Sequence, residues 1–418
     1  MQKRLILLAA ALLLSVGLAF KMILPATGHM SHGFIGRYTA AKLLVQGRFG
    51  PQVYEFDWFV AQVQANAGSP VIEIFSPNLP TLALLTVPFV GLPAQLARDV
   101  WIWLNFFILL GAVIWLGVIV PTRLTWETKG AILTAGIVIL TPALSGNFQV
   151  GQVYALLLLL YVMALGGLLR GNDGSVGVSL GLALILKTSG LAFWLLLLWQ
   201  RRWRALIWGG LTVLLTILFS LPWIGLETWL AYPQAVGQFS NSGARAVTAY
   251  QATANFFAHL FLFDPDWNPQ PVAHWPLLAK LLPLLVVVGA LALTFWRGRL
   301  CSTPRAEAKL FAALTSLNVI LLPVAESYHF ILMLIPLYVI SLDLLEFPPL
   351  SGFLSLDWGA LCLAALLLAV PIPYNGPAWS GWLALLAYPR LYGGWLLWAL
   401  VVRRMTARPV NEVALQIQ

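Results

Sequence analysis

Apolar sequence runs through most of this 418-residue chain, and the feature that constrains it most is one long interruption near the start. Residues 5–25 are apolar and long enough to span a bilayer, which takes about 20 residues. The chain then turns polar over 27–77, and continuous apolar sequence resumes only at Leu79. From His29 to Pro80 it reads HMSHGFIGRYTAAKLLVQGRFGPQVYEFDWFVAQVQANAGSPVIEIFSPNLP. An island of that length is too long for a turn. It carries two helix-like stretches, Ile35–Gln46 and Phe56–Ala65, and the densest polar chemistry of the chain. In a membrane protein, such an island is where a site at the water interface is first sought.

Composition fixes the class. The chain is 60% hydrophobic and 9% charged, with a mean hydropathy of +0.85. Soluble domains carry about 25% charged residues. An all-α polytopic membrane protein follows. Windows of about 20 apolar residues predict spans near 5–25, 79–97, 100–120, 130–145, 153–170, 175–200, 205–223, 276–296, 308–324, 327–345, 357–372 and 386–402. That makes a bundle of about 11–13 transmembrane helices in a single integral membrane domain, 1–418. Its two long polar stretches are 27–77 and 224–275, and a short polar tail covers 405–418. Nineteen Trp suit interfacial belts. The N-terminus, MQKR before an apolar run, reads as an uncleaved signal anchor.

The net charge of +9 does not mark a nucleic-acid protein, because the basic residues sit in short runs beside apolar segments. QRRWR (200–204), WRGR (296–299) and VVRR (401–404) are positive-inside anchors. They place the N-terminus and these runs in the cytoplasm, and 27–77, 224–275, Glu326–His329 and Tyr374–Trp379 on the other face. A bacterial plasma (inner) membrane is the expected location. The map does not close over 121–200. One unbroken crossing at 175–200 leaves Gly146–Gln152 in the cytoplasm and Arg123 and Lys129 outside. A break near Lys187-Thr188-Ser189-Gly190 gives two half-crossings lining a cavity. It brings Gly146–Gln152 outside only if one earlier segment fails to cross.

Candidate chemistry lies on the non-cytoplasmic face. Glu55 and Asp57, in YEFDWF, read either as solvated loop carboxylates capping a helix or as a base in a cleft. Glu326 and His329 occupy a short hinge after Pro323, where ionisable groups are costly unless they face a cavity. Arg37, Lys42 and Arg245 read either as snorkelling cations or as a grip on a lipid phosphate. Lys187 lies well inside an apolar run. His29 and His32 lack further ligands for a metal, so no metal site is expected there. Cys301 and Cys362 fit neither a metal motif nor a disulfide framework. No phosphate-cradling glycine loop, nucleophile elbow or zinc signature appears, and no cofactor is called for.

The stretch GFIGRYTAAKLLVQGRFGPQVYEFDWF (33–59) resembles the first external loop of glycosyltransferase family 87, through Phe34, Tyr38, Ala40, Ala41, Gly47, Tyr54 and Glu55. IFSPNLPTLALLTVPFVGLPAQLARDVWIWLN (74–105), GNFQVGQVYALLL (146–158), LGLALILKTSGLAFWLLLLWQRRWRAL (180–206) and PVAESYHFILMLIP (323–336) are similar to further stretches of that family, in the same order. The family's acidic residue after the first span aligns with Gly33 here. The resemblance implies a C-type membrane fold and a polyprenyl-phosphate sugar as donor. It implies inverting transfer of a hexose such as mannose to a glycolipid or glycan acceptor of the cell envelope.

On that reading His32, Asp57 and Glu55 are the candidates for the catalytic base. Arg37, Tyr38, Lys187, Gln152, Arg245, Glu326 and His329 are the candidates for binding substrate. Membrane lipid is the expected surrounding partner, and nucleic acid is not one. A rival reading is a lipid or solute transporter, which predicts internal repeats with paired broken helices. Another is a non-catalytic relative that binds a lipid-linked sugar.

Overall fold

The computed structural model describes residues 16–405, apart from 189, 242, 300, 302, 350–354 and 372–378 and the side chains of 240–244. The start of the first expected span, Tyr374 and the tail from 406 lie outside the described residues. Among those described, every regular element is helical, and the one exception to helix is an isolated bridge between Asp264 and Asn268.

After an apolar helical segment, Val16–Ala26, the polar island folds into α1 (Phe34–Val45) and α2 (Phe56–Ala67). A short helix, α3 (Leu82–Thr86), precedes α4 (Ala94–Ile119). Next come α5 (Trp126–Ile139) and α6 (Thr141–Gln149), bent at 62°. Then follow α7 (Tyr154–Leu169), α8 (Asp173–Lys187), α9 (Leu191–Trp199) and α10 (Trp203–Ile224). The second polar stretch holds α11 (Leu226–Asn241) and α12 (Thr253–Phe261). The last helices are α13 (Pro276–Gly298), α14 (Pro304–Ile320), α15 (Leu334–Glu346), α16 (Leu356–Ala369) and α17 (Pro389–Arg404). A 3₁₀ segment, Ser327–Met333, runs straight into α15.

The protein is an all-α polytopic membrane protein. Among the described residues α4, α10, α13 and the continuous helix Ser327–Glu346 are each long and apolar enough to cross a membrane, and the bent pair α5–α6 meets the same measure when taken as one. Other apolar segments fold as shorter helices, among them α7 and α16. Local chemistry sets the boundaries. Asn172 caps α8 by accepting from Ser175 N at 3.0 Å, and Thr303 caps α14 from Ala306 N at 3.3 Å, just before Pro304 at its first turn. Small residues let α8 and α10 touch: a Cβ on Gly177 would stand 2.2 Å from the Ala205 carbonyl oxygen.

Two differences from the sequence-based expectation close the open part of the map. The segment 79–97, expected as a span, forms only α3, a 3₁₀ turn over Val87–Phe89 and the start of α4. At about 1.5 Å per residue such pieces are too short to cross. The segment 175–200 breaks between Lys187 and Leu191. Its two ends meet, since Arg202 Nε lies 3.2 Å from Asp173 Oδ1. So α8 and α9 make a hairpin that leaves from one end of the bundle and returns to it.

The bundle thus has two chemically distinct ends. At one, Glu346 accepts from Thr122 and from the Arg123 backbone N–H and pairs with Arg305. Nearby, Lys309 and Arg404 both hold Asp343, at 3.0 and 2.8 Å, and Arg404 also holds Asp357 at 3.3 Å. At the other end the polar island packs on 149–152 and the α8–α9 break, and the hinge after α14 faces it. Arg123 therefore sits with Arg404, and Gly146–Gln152 with the island, which resolves the conflict in the sequence map.

Candidate functional site

The island reaches the bundle through α1. Gly33 precedes this helix with φ +88°, and the Phe34 N–H donates to the Val150 carbonyl at 2.9 Å. One turn later Arg37 is buried, 2% exposed, and points its fork at the α6–α7 connection. Its Nη1 donates to Gln152 Oε1 at 3.2 Å and its Nη2 to the Gly151 carbonyl. The Trp101 indole N–H donates to the same carbonyl at 2.8 Å, and the guanidinium lies 5.6 Å from the Trp101 ring centroid. Burial pulls the Arg37 guanidinium down to about 10, and the Glu73 carboxylate acts against that fall, so Arg37 stays cationic at neutral pH.

Glu73 lies on the stretch that leads from α2 back to the bundle. Its carboxylate accepts from the Gly33 N–H and, at 3.0 Å, from the Ile74 N–H. Its stem rests on the bare face of α1, 2.7 Å from where a Cβ on Gly36 would stand. Five residues on, Asn78 Oδ1 accepts from Lys187 Nζ at 2.9 Å. Lys187 ends α8 and stands at the hairpin break, where the Gly190 N–H donates to Asn318 Oδ1 at 2.6 Å.

The hinge after α14 supplies the opposite wall. The Tyr328 hydroxyl donates to Glu326 Oε1 at 2.7 Å. His329 stacks on Tyr328 with centroids 4.7 Å apart and lies 4.4 Å from the Tyr154 ring. Burial pushes the Glu326 carboxyl up from the usual carboxylate range. The Tyr328 hydrogen bond and the charges of His32 and Lys187 oppose that rise, and Glu73 adds to it. The second loop braces this wall, with Gln251 N donating to the Ala325 carbonyl at 2.7 Å and Thr253 Oγ1 to the Ile320 carbonyl at 2.8 Å.

The structure brings Arg37, Gln152, Lys187, Glu326 and His329 to one end of the bundle, with the exposed His32 at its mouth. Tyr38 is buried beside them, but its hydroxyl donates away, to the Leu92 carbonyl at 2.8 Å. Glu55 and Asp57 are exposed at the start of α2. Glu55 is the N-cap residue without a capping side-chain bond, and neither carboxylate takes an ion pair or hydrogen bond among the described residues. Arg245 is half-buried in the second loop, where its carbonyl accepts from Asn255 Nδ2 at 3.0 Å, and burial lowers its guanidinium.

Sequence reasoning did not select Glu73, and it passed over Asn78, Tyr154 and Tyr328. All but Glu73 lie in the stretches that carry the resemblance. A separate cavity of about 450 Å³, between Trp199, Arg202, Arg299 and Glu307, opens at the opposite end and holds none of these residues.

A helical membrane bundle that gathers two carboxylates, two cations and an imidazole beneath an interfacial loop has the makings of a membrane-embedded enzyme. The family model of glycosyltransferase family 87 matches residues 78–324, more than half of the chain. The chain belongs to glycosyltransferase family 87 and is a membrane glycosyltransferase. The match takes in Asn78, Gln152, Lys187 and Arg245, while the first loop precedes it and the Glu326–His329 hinge follows it. No curated protein matches the chain, and no solved structure does.

Proposed function

We propose that the protein transfers a hexose from a polyprenyl-phosphate donor to a glycolipid or glycan acceptor, with inversion, at the non-cytoplasmic membrane face. The observation that carries this reading is the meeting of Lys187 and Arg37 with Glu326 and His329 at the break of a membrane hairpin. Lys187 and Arg37 offer a lipid phosphate two positive charges at a place that a polyprenyl chain reaches from the bilayer. Once the map is closed by the α8–α9 hairpin, the Lys and Arg runs fall together at the opposite end. This supports a cytoplasmic N-terminus and an outward-facing site.

The chemistry asks little of the protein beyond position and charge. The phosphate is already a fair leaving group, and a cation beside its bridging oxygen stabilises the charge that develops as the bond to the sugar breaks. The acceptor hydroxyl attacks the anomeric carbon from the other face while a base in the first loop takes its proton. His329 and Glu326 then face the donor phosphate or orient the acceptor.

The test is transfer in proteoliposomes supplied with radiolabelled polyprenyl-phosphate hexoses and a lipid extract as acceptor. We expect a labelled product whose anomeric configuration is opposite to that of the donor, and a loss of transfer in Lys187→Met. A wild type that gives no product with any donor of the panel, or one that retains the donor's configuration, would overturn the reading.

A further inference from the structure

Resting on that reading of the site, we infer that Glu73 is the general base that deprotonates the acceptor hydroxyl, held in place by the backbone N–H of Gly33. The position that carries an acid in the resembling family is occupied here by a residue that has no room for a side chain. A Cβ on Gly33 would stand 2.2 Å from the Val150 carbonyl oxygen, and φ is +88°, a conformation that side chains rarely adopt. The backbone N–H that this leaves at the head of α1 is not idle. It donates to a carboxylate from 40 residues further along the chain.

Three further observations favour Glu73 over the other acids. It is half-buried rather than sealed in, and it shares one electrostatic neighbourhood with Arg37, Lys187 and Glu326. Glu326 is already engaged on the opposite wall, its Oε1 accepting from the Tyr328 hydroxyl at 2.7 Å. Glu55 and Asp57 stand exposed at the start of α2, and among the described residues neither carboxylate has a partner to orient it. The bare face at Gly36 also has a use: a side chain there would collide with the Glu73 stem.

The step balances without a further reactant. The acceptor O–H proton passes to a Glu73 oxygen. The acceptor oxygen pair forms the new bond to the anomeric carbon. The bond from that carbon to the phosphate oxygen breaks, and its electron pair leaves on the polyprenyl phosphate.

Glu73→Gln is the decisive variant, because its amide oxygen still accepts from the Gly33 N–H. We expect it to purify folded, with only the Ile74 N–H losing its acceptor, and to bind polyprenyl phosphate as tightly as the wild type. Its kcat should fall by about 10²–10⁴-fold, the span of general base catalysis. Glu73→Asp, with the carboxylate withdrawn by one methylene, should retain a fraction of the rate and the wild-type pH profile. A Glu73→Gln protein with more than a tenth of the wild-type kcat would overturn the assignment, as would one whose whole loss is in polyprenyl-phosphate binding. A wild type without transfer fails the reaction itself; an active wild type with an active Glu73→Gln fails the base alone.

Discussion

Lys187 Nζ donates to the Asn78 side-chain oxygen over 2.9 Å, and this bond joins the break of a membrane hairpin to the end of the first loop. It fixes an ammonium that otherwise has four rotatable bonds. The backbone around Asn78 is held in turn, with its N–H on the Phe75 carbonyl at 2.8 Å and its carbonyl taking the Tyr54 hydroxyl at 3.2 Å. Asn78→Ala leaves the charge and removes the bond that aims it. A hydrogen bond to a charged group is worth about 1.5–3 kcal/mol, or about 10–150-fold. We expect kcat/KM for the lipid-phosphate donor to fall within that range while the melting temperature stays near that of the wild type. Unchanged donor kinetics in Asn78→Ala would show that the bond does not position Lys187 for the donor.

Arg98 predicts a loss of structure rather than of chemistry. It is fully buried in α4, and its fork reaches the Ala26 carbonyl at 2.5 Å, the Gln149 carbonyl at 2.5 Å and Ser31 Oγ at 2.9 Å. It thereby ties the first apolar segment and the start of the island to the α6–α7 turn that Arg37 grips. Arg98→Leu would strand the buried Ala26 carbonyl, at about 1–3 kcal/mol, and leave the Gln149 carbonyl only the Ser31 hydroxyl at 2.6 Å. The expected result is a marked fall in melting temperature in detergent, only partly restored by Arg98→Lys, whose single ammonium does not span the three acceptors. Equal stability of wild type and Arg98→Leu would sink this account.

His259 gives the fold an acid-sensitive point in the second loop. Its Nδ1 lies 3.1 Å from the buried Tyr388 hydroxyl, and burial lowers its pKa to about 4, with a backbone bond near Trp379 acting the other way. The folded state therefore keeps this imidazole neutral where the unfolded chain, near 6.5, takes up a proton. Its contribution is present above pH 6.5 and is lost as the pH falls toward 4, an effect on the order of 3 kcal/mol. Melting temperatures measured from pH 7.5 to 4.5 should drop less steeply in His259→Gln than in the wild type. Parallel curves would assign the acid loss to other groups.

Much of this arrangement is legible along the chain. The polar island, the Lys187 break and the His329 hinge each interrupt an apolar background, and an interruption is visible in one dimension. What is not legible depends on contacts between distant segments. The segment 79–97 is as apolar as a true span, and only its packing between the island and α4 shows that it turns back. Arg98 sits beside Asp99 and looks like an interfacial pair, yet its fork is spent on carbonyls 51 and 72 residues away. Glu55 and Asp57 stand out among aromatics, whereas Glu73 lies in the plain sequence VIEIF. The choice between them turns on the φ of Gly33 and on one backbone N–H, neither of which the residue letters reveal.

That N–H makes Gly33 the sharpest test of how the site is built. Gly33→Asp places an acid where the resembling family carries one, and on the alignment alone it should raise activity. The structure argues the reverse. A side chain at 33 meets the Val150 carbonyl at its first carbon, in a backbone conformation that costs about 1–3 kcal/mol for residues other than glycine. Relief requires the head of α1 to shift, which breaks the Phe34–Val150 bond and draws the Gly33 N–H from Glu73. We expect Gly33→Ala and Gly33→Asp alike to lower the melting temperature and to cut transfer by at least about tenfold, the equivalent of 1.4 kcal/mol. The alanine variant separates steric from electrostatic effects, since it carries the Cβ without the charge. Transfer by Gly33→Asp above the wild-type rate, with Gly33→Ala impaired, would show that the backbone yields and that an acid at this position takes the base role.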